Sequence, residues 1–197
     1  MSSTFDHGVV HPVLACVEAM ESALKETVDV EVIFMAPADK RAALELTRVE
    51  ARVAGLKLRV MAVCDDVAVA GGARDVAALV THHTRTDAGA NRRDLMLALA
   101  LDRRWTQVAG ALGQGEVNVA QAQVICHALE ELPAEEVGAE LLAKAEAHVV
   151  EKAAEFGPRE LGGWAGGSST SSPPRSVSST RPNSSPRKNN EPSARPA

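Results

Sequence analysis

Leu46, Val49, Val53, Leu56, Val60, Val63 and Val67 recur at alternating three- and four-residue steps, with Glu45, Arg48, Glu50, Arg52, Lys57 and Arg59 between them. A stripe with that period runs along one side of an α-helix and asks for a second helix to lie against it. The run from Asp39 is therefore expected to form one long helix, ended by Gly71 and Gly72. Leu44, Ala51, Leu58 and Met61 widen its apolar surface beyond a two-stranded seam. Two partners suit the stripe: the N-terminal helix of the same chain, or a second copy meeting it through Leu46, Val49, Val53, Leu56, Val60 and Val63.

The rest of the chain supports an all-α reading. Val10, Val13, Val17, Met20 and Leu24 repeat the same spacing and predict a first amphipathic helix that starts near His11 and Pro12. Val28 to Phe34 reads as a connection. Beyond the long helix, short helices are expected over Asp75–His82, from a Thr86 cap through Leu101, and from an Asn118 cap to Pro133. A last helix from Ala134 or Glu135 turns Val137, Leu142, Ala145, Val149 and Phe156 inward and stops at Gly157 and Pro158. Aromatic residues make up only 3% of the chain and Tyr is absent. The core must then be Ala, Val and Leu, which suits close-packed helices better than a sandwich or barrel. The expectation is a multi-helix bundle with a long central helix over residues 10–161, preceded by a flexible N-terminus at 1–9.

From residue 162 the composition changes. Ten Ser and six of the ten Pro lie in residues 162–197. Such a stretch offers no face to bury and is expected to be disordered. It also has the character of an alternative reading frame of GC-rich DNA. The charge divides at the same place: residues 1–161 carry 16 Lys and Arg against 25 Asp and Glu, a net −9, while the remainder carries +4. An acidic body disfavours a strong non-specific DNA binder, since phosphate neutralisation supplies most of that affinity.

Chemistry-bearing residues are sparse. Cys16, Cys64 and Cys126 read as buried thiols of a reducing cytoplasm. The stretch Met1–Val10 has no positive charge and no long apolar run, so no signal peptide is expected. His82 and His83 are adjacent, as are Cys126 and His127, and neighbours on a helix diverge by about 100°. No C-x-x-C or H-x-x-x-H pair supports a metal site, and no phosphate-loop or nucleophile-elbow motif occurs. Asp65 and Asp66 read as a solvated helix end. No catalytic residue, metal, cofactor, small-molecule substrate or membrane span is expected. Trp105–Gln123 fits a helix-turn-helix template with Gly113 at its turn, but the second helix offers Asn118, Gln121 and Gln123 without Arg or Lys. Arg85, Arg92 and Arg93 form one local basic cluster. With Asn118 and Gln121 they are the candidates for DNA contact.

The order of Ala78-Leu79, Thr84-Arg85-Thr86, Arg92-Arg93, Leu97–Leu99, Leu112, Gly115-Glu116-Val117-Asn118, Gln121-Ala122, Ile125, Ala128-Leu129 and Leu132-Pro133 resembles an actinobacterial family. That family is the domain of unknown function 222, or 13E12 repeat family, whose helical region commonly precedes an HNH endonuclease module. The resemblance spans roughly Val10 to Leu161. It implies a helical domain that positions a nuclease or its DNA, with further basic helix and the nuclease beyond. No His or Cys follows Leu161 here, so the nuclease activity is not carried over and the chain reads as a non-catalytic, truncated relative. Loss of those further helices would leave apolar surface of the last helix uncovered and the product marginally stable. A stand-alone helix-turn-helix module and a helical dimerisation domain are the alternative readings.

Overall fold

The computed structural model of the chain describes residues 10–133 and 138–165, the last two by backbone alone. The expectations for residues 1–9, for Ala134 to Val137 and for residues 166–197 lie outside these. Every regular element among the described residues is helical. In order they are α1 (Pro12–Thr27), a 3-10 turn at Val32–Phe34, α2 (Pro37–Ala43), α3 (Leu46–Met61), α4 (Asp65–Ala70), α5 (Val76–Thr84), α6 (Ala88–Arg103), α7 (Thr106–Gln114), α8 (Val119–Glu130), α9 (Ala139–Ala153) and α10 (Pro158–Ala165).

The single long helix expected from Asp39 is instead three helices. Around Leu44 the backbone switches to three-residue bonds, with Leu44 N–H donating to Arg41 O, Glu45 to Ala42 O and Thr47 to Leu44 O. The Thr47 hydroxyl donates to the same Leu44 carbonyl at 2.9 Å, a local competitor for the helical ladder. At the far end, Val63 donates back to Val60 O and Cys64 sits in a bridge conformation, φ −95° and ψ 22°. Asp65 and Asp66 then open α4, where carboxylates complement the positive end of the helix dipole.

A second departure matters more. The α3 surface turned to the core is Ala51, Gly55, Leu58 and Met61, while the predicted seam faces outward. Gly55 is where α3 crosses α7 closely: a Cβ there would lie 3.2 Å from Leu112 Cγ and 3.4 Å from the Gly113 backbone. The N-terminal helix does not cover the seam either, since α1 contains no buried residue.

The core lies in the second half of the chain, around Leu97, Leu101, Trp105, Val108, Leu112, Val117, Ile125 and Leu129. Two of its turns are set by particular residues. Asp87, rather than Thr86, caps α6 by accepting from Ala90 N–H at 2.7 Å. Thr86, itself exposed, instead accepts from the buried Asn91, whose amide donates to Thr81 Oγ1 (2.9 Å) and Thr86 Oγ1 (2.8 Å), tying α6 to α5. The α7–α8 corner turns at Gly115, with φ 74°, and not at Gly113, which is inside α7. A Cβ at Gly115 would lie 2.6 Å from Arg48 Cγ, so both the left-handed backbone and the close approach demand glycine. Finally, the chain continues past Gly157 into α10, whose Leu161 is buried in the core. The helix reaches Ala165, beyond the expected boundary at Leu161.

Candidate functional site

Asn118 is exposed and Gln121 is buried, and the two are joined at the start of α8. Asn118 Oδ1 accepts from Gln121 N–H (2.9 Å) and Gln121 Oε1 accepts from Asn118 N–H (3.0 Å), a reciprocal capping box. The Gln121 amide also donates to Ala153 O (2.8 Å) and Phe156 O (2.9 Å), satisfying carbonyls at the C-terminus of α9. Gln121 is only 8% exposed, which leaves it no edge to offer a base.

A matching brace runs the other way, and sequence reasoning missed it. The α7 N-terminus has no side-chain cap of its own. Glu146 of α9 supplies one across the bundle, its Oε1 accepting from Gln107 N–H (2.8 Å) and Val108 N–H (3.1 Å). Only 4% exposed, this carboxylate sits where the helix dipole favours an anion. The Gln107 side-chain amide donates to Ala143 O at 3.0 Å and closes the brace. The signal was present: Glu146 falls in register with Leu142, Val149 and Ala153, a lone charge on the inward stripe of α9.

Arg92 and Arg93 are exposed and share the rim of an open groove of about 780 Å³ between α6 and α8. Met96, Leu97, Ala100 and Val124 give it an apolar lining, with Cys126 and Glu130 beside them. Arg85 does not line this groove; it is the left-handed C-cap of α5, φ 56°. The structure thus brings together Arg92 and Arg93 and separates both from Asn118 and Gln121. Cys126 is buried, and desolvation, reinforced by the charges of Glu130 and Glu146, pushes its thiol up to about 12. Cys64 is half-buried, whereas Cys16 is exposed on α1, contrary to the expectation of three buried thiols. His82 and His83 pack edge to face, ring centres 5.6 Å apart. Among the described residues no three His, Cys, Asp or Glu side chains converge as metal ligands. No described helix is long and apolar enough to cross a membrane.

The other concentrated feature is the outward seam. Leu46 is 66% exposed, Val49 46%, Val53 39% and Val60 38%, and α1 presents Leu14, Val17 and Leu24 likewise. A helix that is apolar on two sides, like α3, is built to sit between two neighbours. Among the described residues only one of them, the core, is present.

Fold and surfaces together define an all-helical domain, braced inside by polar contacts between helices and presenting apolar stripes outside. The family model of a domain of unknown function (DUF222) matches residues 39–167, more than half of the chain, and the chain belongs to that family. The match continues past Leu161, so family sequence does not stop at the residue where the resemblance was expected to end. No curated protein and no solved structure matches the chain.

Proposed function

We propose that the chain is a non-catalytic docking domain that works by surface contact, and that the outward stripe of α3 is a contact face. The observation that carries this reading is that Leu46, Val49, Val53 and Val60 stand in solvent directly opposite a face of the same helix that forms core. Contiguous exposed apolar surface of this kind marks an interaction site. The interior polar groups Asn91, Gln121 and Glu146 are each occupied in joining helices. In view of the family resemblance, a nuclease module or the DNA it acts on is the client this domain would position.

Val53→Glu combined with Val60→Glu tests the reading. Melting of the helical body is expected to be unchanged, because neither side chain is core. Self-association and the concentration at which light scattering begins should both respond, with scattering starting at higher concentration. A variant that unfolds, or one whose association and scattering match the wild type, contradicts the reading.

A second reading is supported by one observation: Arg92 and Arg93 are exposed on the groove rim, and neither takes part in an ion pair among the described residues. They would contact a phosphate backbone, with Arg85 as a further cation. Binding of duplex DNA that weakens with salt, and weakens again in Arg92→Ala plus Arg93→Ala, supports it. No binding at low salt removes it.

A further inference from the structure

We propose that the outward stripe of α3 is covered by α1 of a second copy of this chain, each copy lending its α1 to the other. The proposal rests on the contact-face reading above and names the occupant of that face. Neither stripe is covered by the described residues of one chain: α1 has no buried residue, and Val10, Leu14 and Leu24 are each more than half exposed. The connection that follows α1 is equally bare, with Val28, Val30, Val32, Ile33 and Phe34 all exposed.

Three properties fit α1 to α3. Both helices are 16 residues long, about 24 Å at the α-helical rise. Their stripes share one spacing, Val13, Val17, Met20 and Leu24 against Val49, Val53, Leu56 and Val60, as helices that pair side by side require. Their charges are opposite: α1 carries Glu18, Glu21 and Glu26 against Lys25, whereas α3 carries Arg48, Arg52, Lys57 and Arg59 against Glu50. Two of the α3 cations are already engaged, Lys57 with Asp94 at 2.7 Å and Arg48 with the Gln114 carbonyl at 3.2 Å. Arg52 and Arg59 remain on the border of the stripe, and Glu18 and Glu21 border the stripe of α1.

Reciprocal exchange closes this arrangement about a twofold axis and covers all four stripes. Pairing α3 with α3 would leave both α1 stripes in water and bring Arg52 and Arg59 of each copy together. Pairing α1 with α3 of its own chain would cover the stripes in a monomer, and the test separates that outcome.

Two full-length chains are mixed and oxidised, one carrying Val17→Cys and the other Val53→Cys, both with Cys16→Ser. These are the middle positions of the two stripes and meet whichever way the helices run. The exchange predicts a disulfide-linked pair containing one chain of each kind, and a wild-type dimer in sedimentation at tens of micromolar. A wild-type monomer overturns it. So does a cross-link formed only inside a chain carrying both cysteines. Val17→Glu and Val53→Glu, made separately, should each give monomers that melt like the wild-type body. If only Val53→Glu dissociates the dimer, the exchange is wrong and the contact-face reading stands; if neither does, both are wrong.

Discussion

Residues 10–70 and 76–165 are both helical, but they use their apolar side chains in opposite ways. Of the 20 large hydrophobic side chains exposed among the described residues, 17 lie between Val10 and Val69. Of the 20 buried hydrophobic residues, only Ala51, Leu58, Met61 and Ala68 come from that half. The difference is not one of helix-forming tendency, since α1, α3 and α6 are equally long. It lies in what each helix rests against. The second half closes on itself and on the inner face of α3, with Gln121 and Glu146 tying α7, α8 and α9 together across the core. The first half makes regular helices whose outward stripes are left for something else to cover.

The largest effect that could break this contrast is a core truncation. Leu112 and Ile125 are 1% and 0% exposed. Leu112→Ala or Ile125→Ala should each lower stability by about 2–5 kcal/mol in chemical unfolding. Val49→Ala, of similar chemistry but in the outward stripe, should stay within about 0.5 kcal/mol in dilute, dissociated protein. Equal losses at the two places would erase the distinction.

Next come the braces. Glu146→Ala strips the α7 N-terminus of its cap, and Gln121→Ala strips the α9 C-terminus; each should cost about 1–3 kcal/mol by leaving buried backbone groups unpaired. Neither should move the association state. A change in association without a change in melting would place these residues in the contact face instead.

Two glycines two residues apart give a smaller and sign-reversed pair. Gly115→Ala forces a side chain into a left-handed position and against Arg48, and should destabilise by about 1–2 kcal/mol or more. Gly113 is within α7, and a Cβ there meets nothing within 4 Å. Gly113→Ala should therefore stabilise, by about 0.5–1 kcal/mol. The reverse order in thermal melts would move the corner back to Gly113.

Smallest are two chemical differences between the halves. Cys16 in the first half should react quickly with a thiol reagent in the native chain. Cys126, buried and held protonated far above neutral pH, should react only on unfolding. Asp75 caps α5 by accepting from Ala78 N–H at 2.7 Å, and that bond, chiefly, lowers its pKa below the ordinary 3.8. A carboxylate depressed on folding stabilises the fold above its unfolded value and loses that contribution as pH falls through the folded one. The contribution should thus persist to about pH 3.8 and vanish below it. Asp75→Asn should flatten this last part of the acid melting profile.

Much of this fold could be read from spacing alone. The extents of α1, α5 and α8, the Asn118 cap and the all-helical class follow from apolar period and capping chemistry, which are local. What periodicity could not tell was which side of α3 faces the core. Its stripe of Leu46, Val49, Val53 and Val60 is the more regular pattern, yet the core selects the smaller set of Ala51, Gly55, Leu58 and Met61. Close approach to α7 at Gly55 decides that, and it is a tertiary fact. The break at Leu44 was hidden because a switch to three-residue bonds leaves composition unchanged. Gln121 was legible as a polar residue in a helix but not as a cap for a helix more than twenty residues away. Of the candidate contacts, Arg92 and Arg93 come together on one groove, while Gln121 is spent inside the fold and the exposed Asn118 caps α8.

The contrast between the halves is tested most directly by hydrogen exchange of the full chain at low-micromolar and at hundred-micromolar concentration. A lone helix of this length is marginal in water. Amides of α1 should therefore exchange quickly when dilute and gain protection with concentration, with α3 following, while those of α7 and α8 stay equally slow throughout. Protection in α1 that is strong and independent of concentration would contradict the account.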